Sequence, residues 1–110
     1  MKWQGRVLEE LAKGTAAQRQ GNHGKARTCA RRAVGIAVSE LQREGLLGDY
    51  EADFMHQVRR LSEDAKMPEG VRRAAEKLSA RLAENFAAQS TEPIDDANII
   101  LRHLDSLRGP

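Results

Sequence analysis

The sequence predicts an all-α fold, a single-domain up-and-down bundle of about five helices. Three observations carry that expectation. Apolar side chains recur at steps of three and four along most of the chain, which aligns them on one face of a helix. Nowhere do Val, Ile or Thr alternate with polar residues as a half-buried strand requires. Glycine and proline punctuate the chain sparsely, where apolar stripes end. With 110 residues and a mass of 12.2 kDa there is room for one hydrophobic core, so residues 1–110 are read as one domain.

The first helix is expected from about Lys2 to Arg19, with Trp3, Val7, Leu11, Thr15 and Gln18 in one stripe whose apolar part is N-terminal. Gly21-Asn22-His23-Gly24 breaks it, because two glycines and an asparagine are costly in a helix interior. The second helix, from about Gly24 to Glu44, has the clearest pattern. Ala26, Ala30, Ala33, Ala37 and Leu41 share a narrow arc that Val34 and Val38 widen. A stripe of alanines lets a neighbouring helix approach closely. Gly45 is placed to take the left-handed conformation that closes a helix, with Leu46 and Leu47 contacting the turn before it.

Asp49 is expected to cap the third helix, with Glu51 and Asp53 near its positive end. Leu47, Phe54, Val58, Leu61 and Ala65 then share one face and leave His56 on the wet side. Pro68 reads as the first residue of the fourth helix, where its missing N–H costs nothing. Val71, Ala75, Leu78, Leu82 and Phe86 form its buried stripe, and Arg72 can pair with Glu76 outside. A polar loop over Ala88-Gln89-Ser90-Thr91-Glu92-Pro93 leads to a fifth helix from Ile94 or Asp95. There Asp95 and Asp96 occupy the first turn, Ala97, Ile100, Leu101, Leu104 and Leu107 point inward, and Gly109-Pro110 ends the helix.

Composition excludes several classes of function. Charged residues make up 31% against 40% hydrophobic, a balance suited to a packed, water-coated domain. Mean hydropathy is −0.62, and no apolar run nears the roughly 20 residues needed to span a bilayer. The mixed N-terminal residues do not resemble a signal peptide, so a cytoplasmic location is expected. The net charge of +2 is small for a phosphate-binding surface, and Trp3, Tyr50, Phe54 and Phe86 are the whole aromatic set. The arginine doublets at 31/32, 59/60 and 72/73 read mostly as solvated helix faces.

The chemistry-bearing residues are scattered. Cys29 is the only cysteine, which excludes an intrachain disulfide, and it sits at the border of the second helix's apolar face. His23, His56 and His103 have no metal-ligand spacing, so neither metal nor cofactor is expected. The acidic pairs Glu9/Glu10, Glu63/Asp64 and Asp95/Asp96 are assigned to polar faces and a helix start. Gly21-Asn22-His23-Gly24-Lys25 lacks the spacing of a phosphate loop, yet the following helix start with Lys25 and Arg27 can attract an anion.

The layout around Gly21-Asn22-His23-Gly24-Lys25-Ala26-Arg27-Thr28-Cys29-Ala30-Arg31-Arg32-Ala33, with Ala83-Glu84-Asn85-Phe86 and Asp95-Asp96-Ala97-Asn98-Ile99-Ile100-Leu101, resembles HEPN domains. That resemblance implies a five-helix bundle, homodimers, RNA cleavage or nucleotide-related binding, and toxin–antitoxin pairs with a small nucleotidyltransferase-like partner. Nuclease members carry an Arg and a His a few residues apart near the dimer cleft. No such pair follows the fourth helix here, and Arg19 and His23 lie in the first interhelical turn, so no catalytic residue is carried over. Gly21, Ala26 and Ala33 also look like one tetratricopeptide unit, of which no second copy is visible.

The resulting expectation is a non-catalytic helical interaction domain, a homodimer or a partner-docking module, using Ala30, Ala33, Ala37 and Leu41 as its interface. The alternative is an RNA-binding or metal-independent RNA-cleaving module built on Arg19, His23, Lys25 and Arg27. A DNA-reading helix-turn-helix ranks below both, because no short second helix with base-reading side chains follows a tight turn.

Overall fold

The computed structural model describes residues 2–48, 50, 53–80 and 90–109. Within them the fold is all-α, with five helices: α1 (Lys2–Arg19), α2 (His23–Arg43), α3 (Phe54–Glu63), α4 (Glu69–Ser79) and α5 (Pro93–Ser106). The first two helices end in the same way. Gly21 and Gly45 both take φ of +79°, and each is followed by the doubled hydrogen bonds of a Schellman turn. Gly21 N–H donates to Gln18 O at 3.0 Å and Asn22 N–H to Ala17 O at 2.8 Å; Gly45 donates to Gln42 O at 3.1 Å and Leu46 to Leu41 O at 2.9 Å.

Three boundaries differ from expectation, each for a local reason. The first break is shorter than the sequence suggests: Asn22 Oδ1 accepts the Lys25 N–H at 3.2 Å, so α2 already begins at His23 and holds Gly24 in its first turn. The cap of α3 is Asp53, not Asp49. Its Oδ1 accepts from the N–H groups of Met55 (2.8 Å) and His56 (3.3 Å), and these bonds hold its carboxyl below the usual aspartate range. Asp49 and Glu51 lie outside the described residues. Pro68 is the N-cap of α4 rather than its first residue, and the ion pair across a turn is Glu69–Arg73 at 2.9 Å in place of Arg72–Glu76. The backbone turns extended at Ala80 (ψ 137°), and Leu82 and Phe86 lie outside the described residues.

α2 is the axis of the bundle. It forms a hairpin with α1 and also packs against α3, α4 and α5, while α3 and α4 make a second hairpin and α5 lies against α2 and α4. Six consecutive residues, Ala33 to Val38, are buried, so this stretch is covered on every side of the helix. The main core joins Val34, Val38 and Leu41 to Val58, Leu61, Leu78, Ile100 and Leu104. A smaller cluster of Val7, Ala33 and Ile36 seals α1 onto α2. The radius of gyration, 13.0 Å, is that of a packed chain of this length, about 13 Å.

Enclosing a helix on all sides requires small residues where its neighbours cross. A Cβ on Gly35 would collide with the Phe54 ring and lie 2.6 Å from Gln57 Oε1. A Cβ on Gly14 would lie 2.7 Å from Ile94 Cδ1 and 3.1 Å from Cys29 Cβ. Gln57, only 1% exposed, enters this crossing and donates through Nε2 to Ser39 Oγ at 2.8 Å.

Polar ties close the two loops. Buried Ser90 donates its N–H to Lys77 O (3.2 Å) and its hydroxyl to Asp96 Oδ2 (2.5 Å), which fixes the start of α5 to the end of α4. From α2, Arg27 donates to Ser90 O (3.3 Å) and Arg31 to Leu78 O (2.8 Å). On the other loop, Tyr50, 8% exposed, donates its hydroxyl to Asp64 Oδ2 at 2.7 Å. Burial, then this bond, pushes the Tyr50 hydroxyl pKa up, and the Tyr50 hydroxyl is the leading cause that lowers that of Asp64.

Two outcomes follow from this packing. Gly35→Ala should destabilise by about 1–3 kcal/mol despite its better helix propensity. Gly70→Ala, in the first turn of α4 with open space around it, should stabilise by about 0.5–1 kcal/mol. Urea melts of both variants check the contrast. A depressed aspartate contributes stability above its unfolded pKa of about 3.9 and loses it as pH falls through the folded value. Tyr50→Phe should therefore be less stable than the parent at neutral pH, with the gap closing in acid, as read from urea midpoints between about pH 6 and about pH 2.

Candidate interaction surface

The four residues expected to form an interface are all inside the chain. Ala30, Ala33, Ala37 and Leu41 are between 0 and 2% exposed, covered by the other helices around α2. The alanine stripe does permit close helix approach, and the helices that use it belong to this same chain. What a partner can reach of this face is the floor that Ala37 and Leu41 give to an opening between α1 and α5.

The four basic-site candidates do not converge. His23 and Lys25 are exposed at the start of α2, where Asn22 already accepts the Lys25 N–H. Arg27 is half-buried and tied to Ser90 O, so it acts as a structural brace. Arg19 lines an opening of about 350 Å³ with Thr15, Gln18, Ile94 and Asp95, away from the other three. Cys29 is 2% exposed, and burial, followed by the nearby Glu10 carboxylate, pushes its thiol pKa up, which makes it a poor nucleophile. Among the described residues, no group of three or more His, Cys, Asp or Glu is placed to hold a metal ion. Nor is any described helix long and apolar enough to cross a membrane.

A mostly apolar groove of about 330 Å³ lies between α1 and α5. It exists because α1 is packed along α2 and meets α5 only at an edge. Trp3, Val7 and Leu11 form one wall, Leu101 and Leu104 the other, and Ala37 and Leu41 the floor. Arg108 closes one end: its guanidinium stands 4.8 Å from the Trp3 ring centroid and pairs with Glu44 at 3.1 Å. Leu8, also lining the groove, is 63% exposed, the most exposed large apolar side chain among the described residues. Gln4 Oε1, on the same wall, is buried without a hydrogen-bond donor. Ala12 and Ala16, one and two turns beyond Leu8, are exposed on the same edge of α1.

Sequence reasoning recognised Trp3, Val7 and Leu11 as an apolar stripe but passed over Leu8. Its signal was a leucine outside the stripe, in a helix whose other outward positions, such as Arg6, Glu9 and Lys13, are charged or alanine. No protein-family model, curated protein or solved structure matches this chain. Ala83-Glu84-Asn85-Phe86, which carries part of the HEPN resemblance, lies outside the described residues.

The burial of the alanine stripe generates a direct contrast. Ala33→Arg places an unpaired charge in the core at a cost of several kcal/mol, a large share of the roughly 5–15 kcal/mol that holds a domain together. It should abolish cooperative thermal unfolding in circular dichroism. Leu8→Arg should leave the melt close to that of the parent at protein concentrations low enough to keep the chain single, because the side chain then faces water.

Proposed function

We propose that this protein is a helical interaction domain that pairs with a second copy of itself through the α1 edge. The observation that carries the reading is the side-by-side placement of a projecting Leu8 and the Trp3-lined groove. A twofold interface uses one patch on both partners, so that patch must be complementary to itself. A projecting leucine beside an apolar groove meets this condition, since a twofold axis brings each Leu8 to the other copy's groove. The exposed Ala12 and Ala16 allow the two α1 helices to approach closely. A donor from the second copy would also satisfy Gln4 Oε1. The homodimers implied by the HEPN resemblance agree with this reading.

The test is sedimentation equilibrium of the full chain across a concentration series. The parent should approach twice the 12.2 kDa chain mass. Leu8→Glu should weaken association by about thirtyfold or more, the effect of losing a central anchor worth about 2 kcal/mol. Leu46→Glu, at another exposed apolar position outside the groove, should associate like the parent. A parent that stays at one chain mass at every concentration, or a Leu8→Glu variant that dimerises as well as the parent, would overturn the reading.

A further inference from the structure

A second cavity, of about 230 Å³, lies where the connection after α2 meets the α3–α4 turn and the end of α5. Its apolar lining comes from Leu47, Met67 and Leu107. Arg60, Lys66 and His103 bring polar heads to the same space from three different segments. The one carboxylate there, Asp64, is satisfied by the protein itself: Tyr50 donates to Oδ2 at 2.7 Å, and the Lys66 backbone N–H donates to Oδ1 at 3.0 Å. Arg60 sits over the Tyr50 ring, 5.3 Å from its centroid, which holds the guanidinium beside the opening. No described acidic side chain forms an ion pair with Arg60 or Lys66.

The charges select a ligand class. Two cations, Arg60 and Lys66, set against one carboxylate, Asp64, leave a single net positive charge among these three. A phosphate dianion would be undercompensated there, whereas a monoanion is matched. The apolar lining favours a ligand with a hydrocarbon part, and a volume below the roughly 300–1,000 Å³ of drug-sized pockets limits that part to a short one. We infer that this cavity binds a short-chain organic monocarboxylate, with its carboxylate between Arg60 and Lys66 and its chain against Leu47, Met67 and Leu107. His103 offers a ring nitrogen to the same head group. The cavity is separate from the α1 groove, so this binding is independent of self-association.

The probe is hexanoate, titrated into the full-length chain and followed by NMR through the His103 ring and the Met67 methyl. Inorganic phosphate and 1-hexanol serve as comparisons, one with charge alone and one with the chain alone. Hexanoate should shift both signals saturably and bind about tenfold more tightly than either comparison, the scale of one charge-assisted hydrogen bond. Arg60→Gln and Lys66→Gln, both at exposed positions, should each weaken hexanoate several-fold and leave hexanol unchanged. Parent-like thermal melts would show that both variants are folded. The proposal is overturned if hexanoate moves neither signal, if hexanol or phosphate binds as tightly, or if both folded variants bind hexanoate like the parent.

Discussion

Everything in this fold is arranged around the enclosure of α2. A helix covered on all sides must let four others reach its axis, and that is possible only where its surface is nearly flat. Ala30, Ala33, Gly35 and Ala37 provide that surface, and Gly14 provides the matching one on α1. The larger apolar side chains then fill the spaces between crossings, with Val34, Val38 and Leu41 reaching the second hairpin and α5. Close approach sets the position of each neighbour, and the neighbours in turn set both cavities. The α1 groove opens because α1 follows α2 and leaves α5 behind. The smaller cavity opens where three segments meet around the C-terminal end of α2.

Polar groups do a different task in this bundle. Apolar packing is not directional, and helices held by alanine faces have little to stop them sliding. The buried ties supply direction. Ser90 fixes the start of α5 to Lys77 and Asp96, while Arg27 and Arg31, one turn apart on α2, reach carbonyls on either side of residues 81–89. Tyr50 and Asp64 do the same for the connection between the hairpins. Each such bond adds only about 1 kcal/mol net, but losing one partner leaves a buried group unpaired, which costs more.

Much of the bundle was legible in the sequence, and the reason is local. The extent of α1, the closure of α2 at Gly45, the wet side of α3 at His56 and the inward face of α5 follow from periodicity and turn chemistry within a few residues. What escaped depends on contacts between distant segments. Gly35 looks like a weak point in a helix until Phe54 and Gln57 are brought across it. Gln57 reads as a surface residue until Ser39 faces it. Arg27 reads as a free cation until Ser90, far along the chain, offers a carbonyl. The α3 start was misplaced because Asp49, Glu51 and Asp53 are equivalent as acids, and only the backbone path decides which one caps. The burial of the alanine stripe within the chain escaped for a related reason: a stripe pattern shows that a face is buried, not whether the covering helix belongs to the same chain. Neither cavity was visible beforehand, since each combines residues from elements far apart in sequence.

The placement of α5 also bears on how the protein is made. The α1–α2 and α3–α4 hairpins join neighbours in sequence, so their loops close early and at little entropic cost. α5 packs against α2 and α4 across a much longer separation and supplies Ala97, Ile100 and Leu104 to the core. During vectorial synthesis these residues emerge after the other four helices of this core. Until then, the faces of α2 and α4 that they cover stay open to water, and the emerging chain presents apolar surface to any chaperone near the exit tunnel.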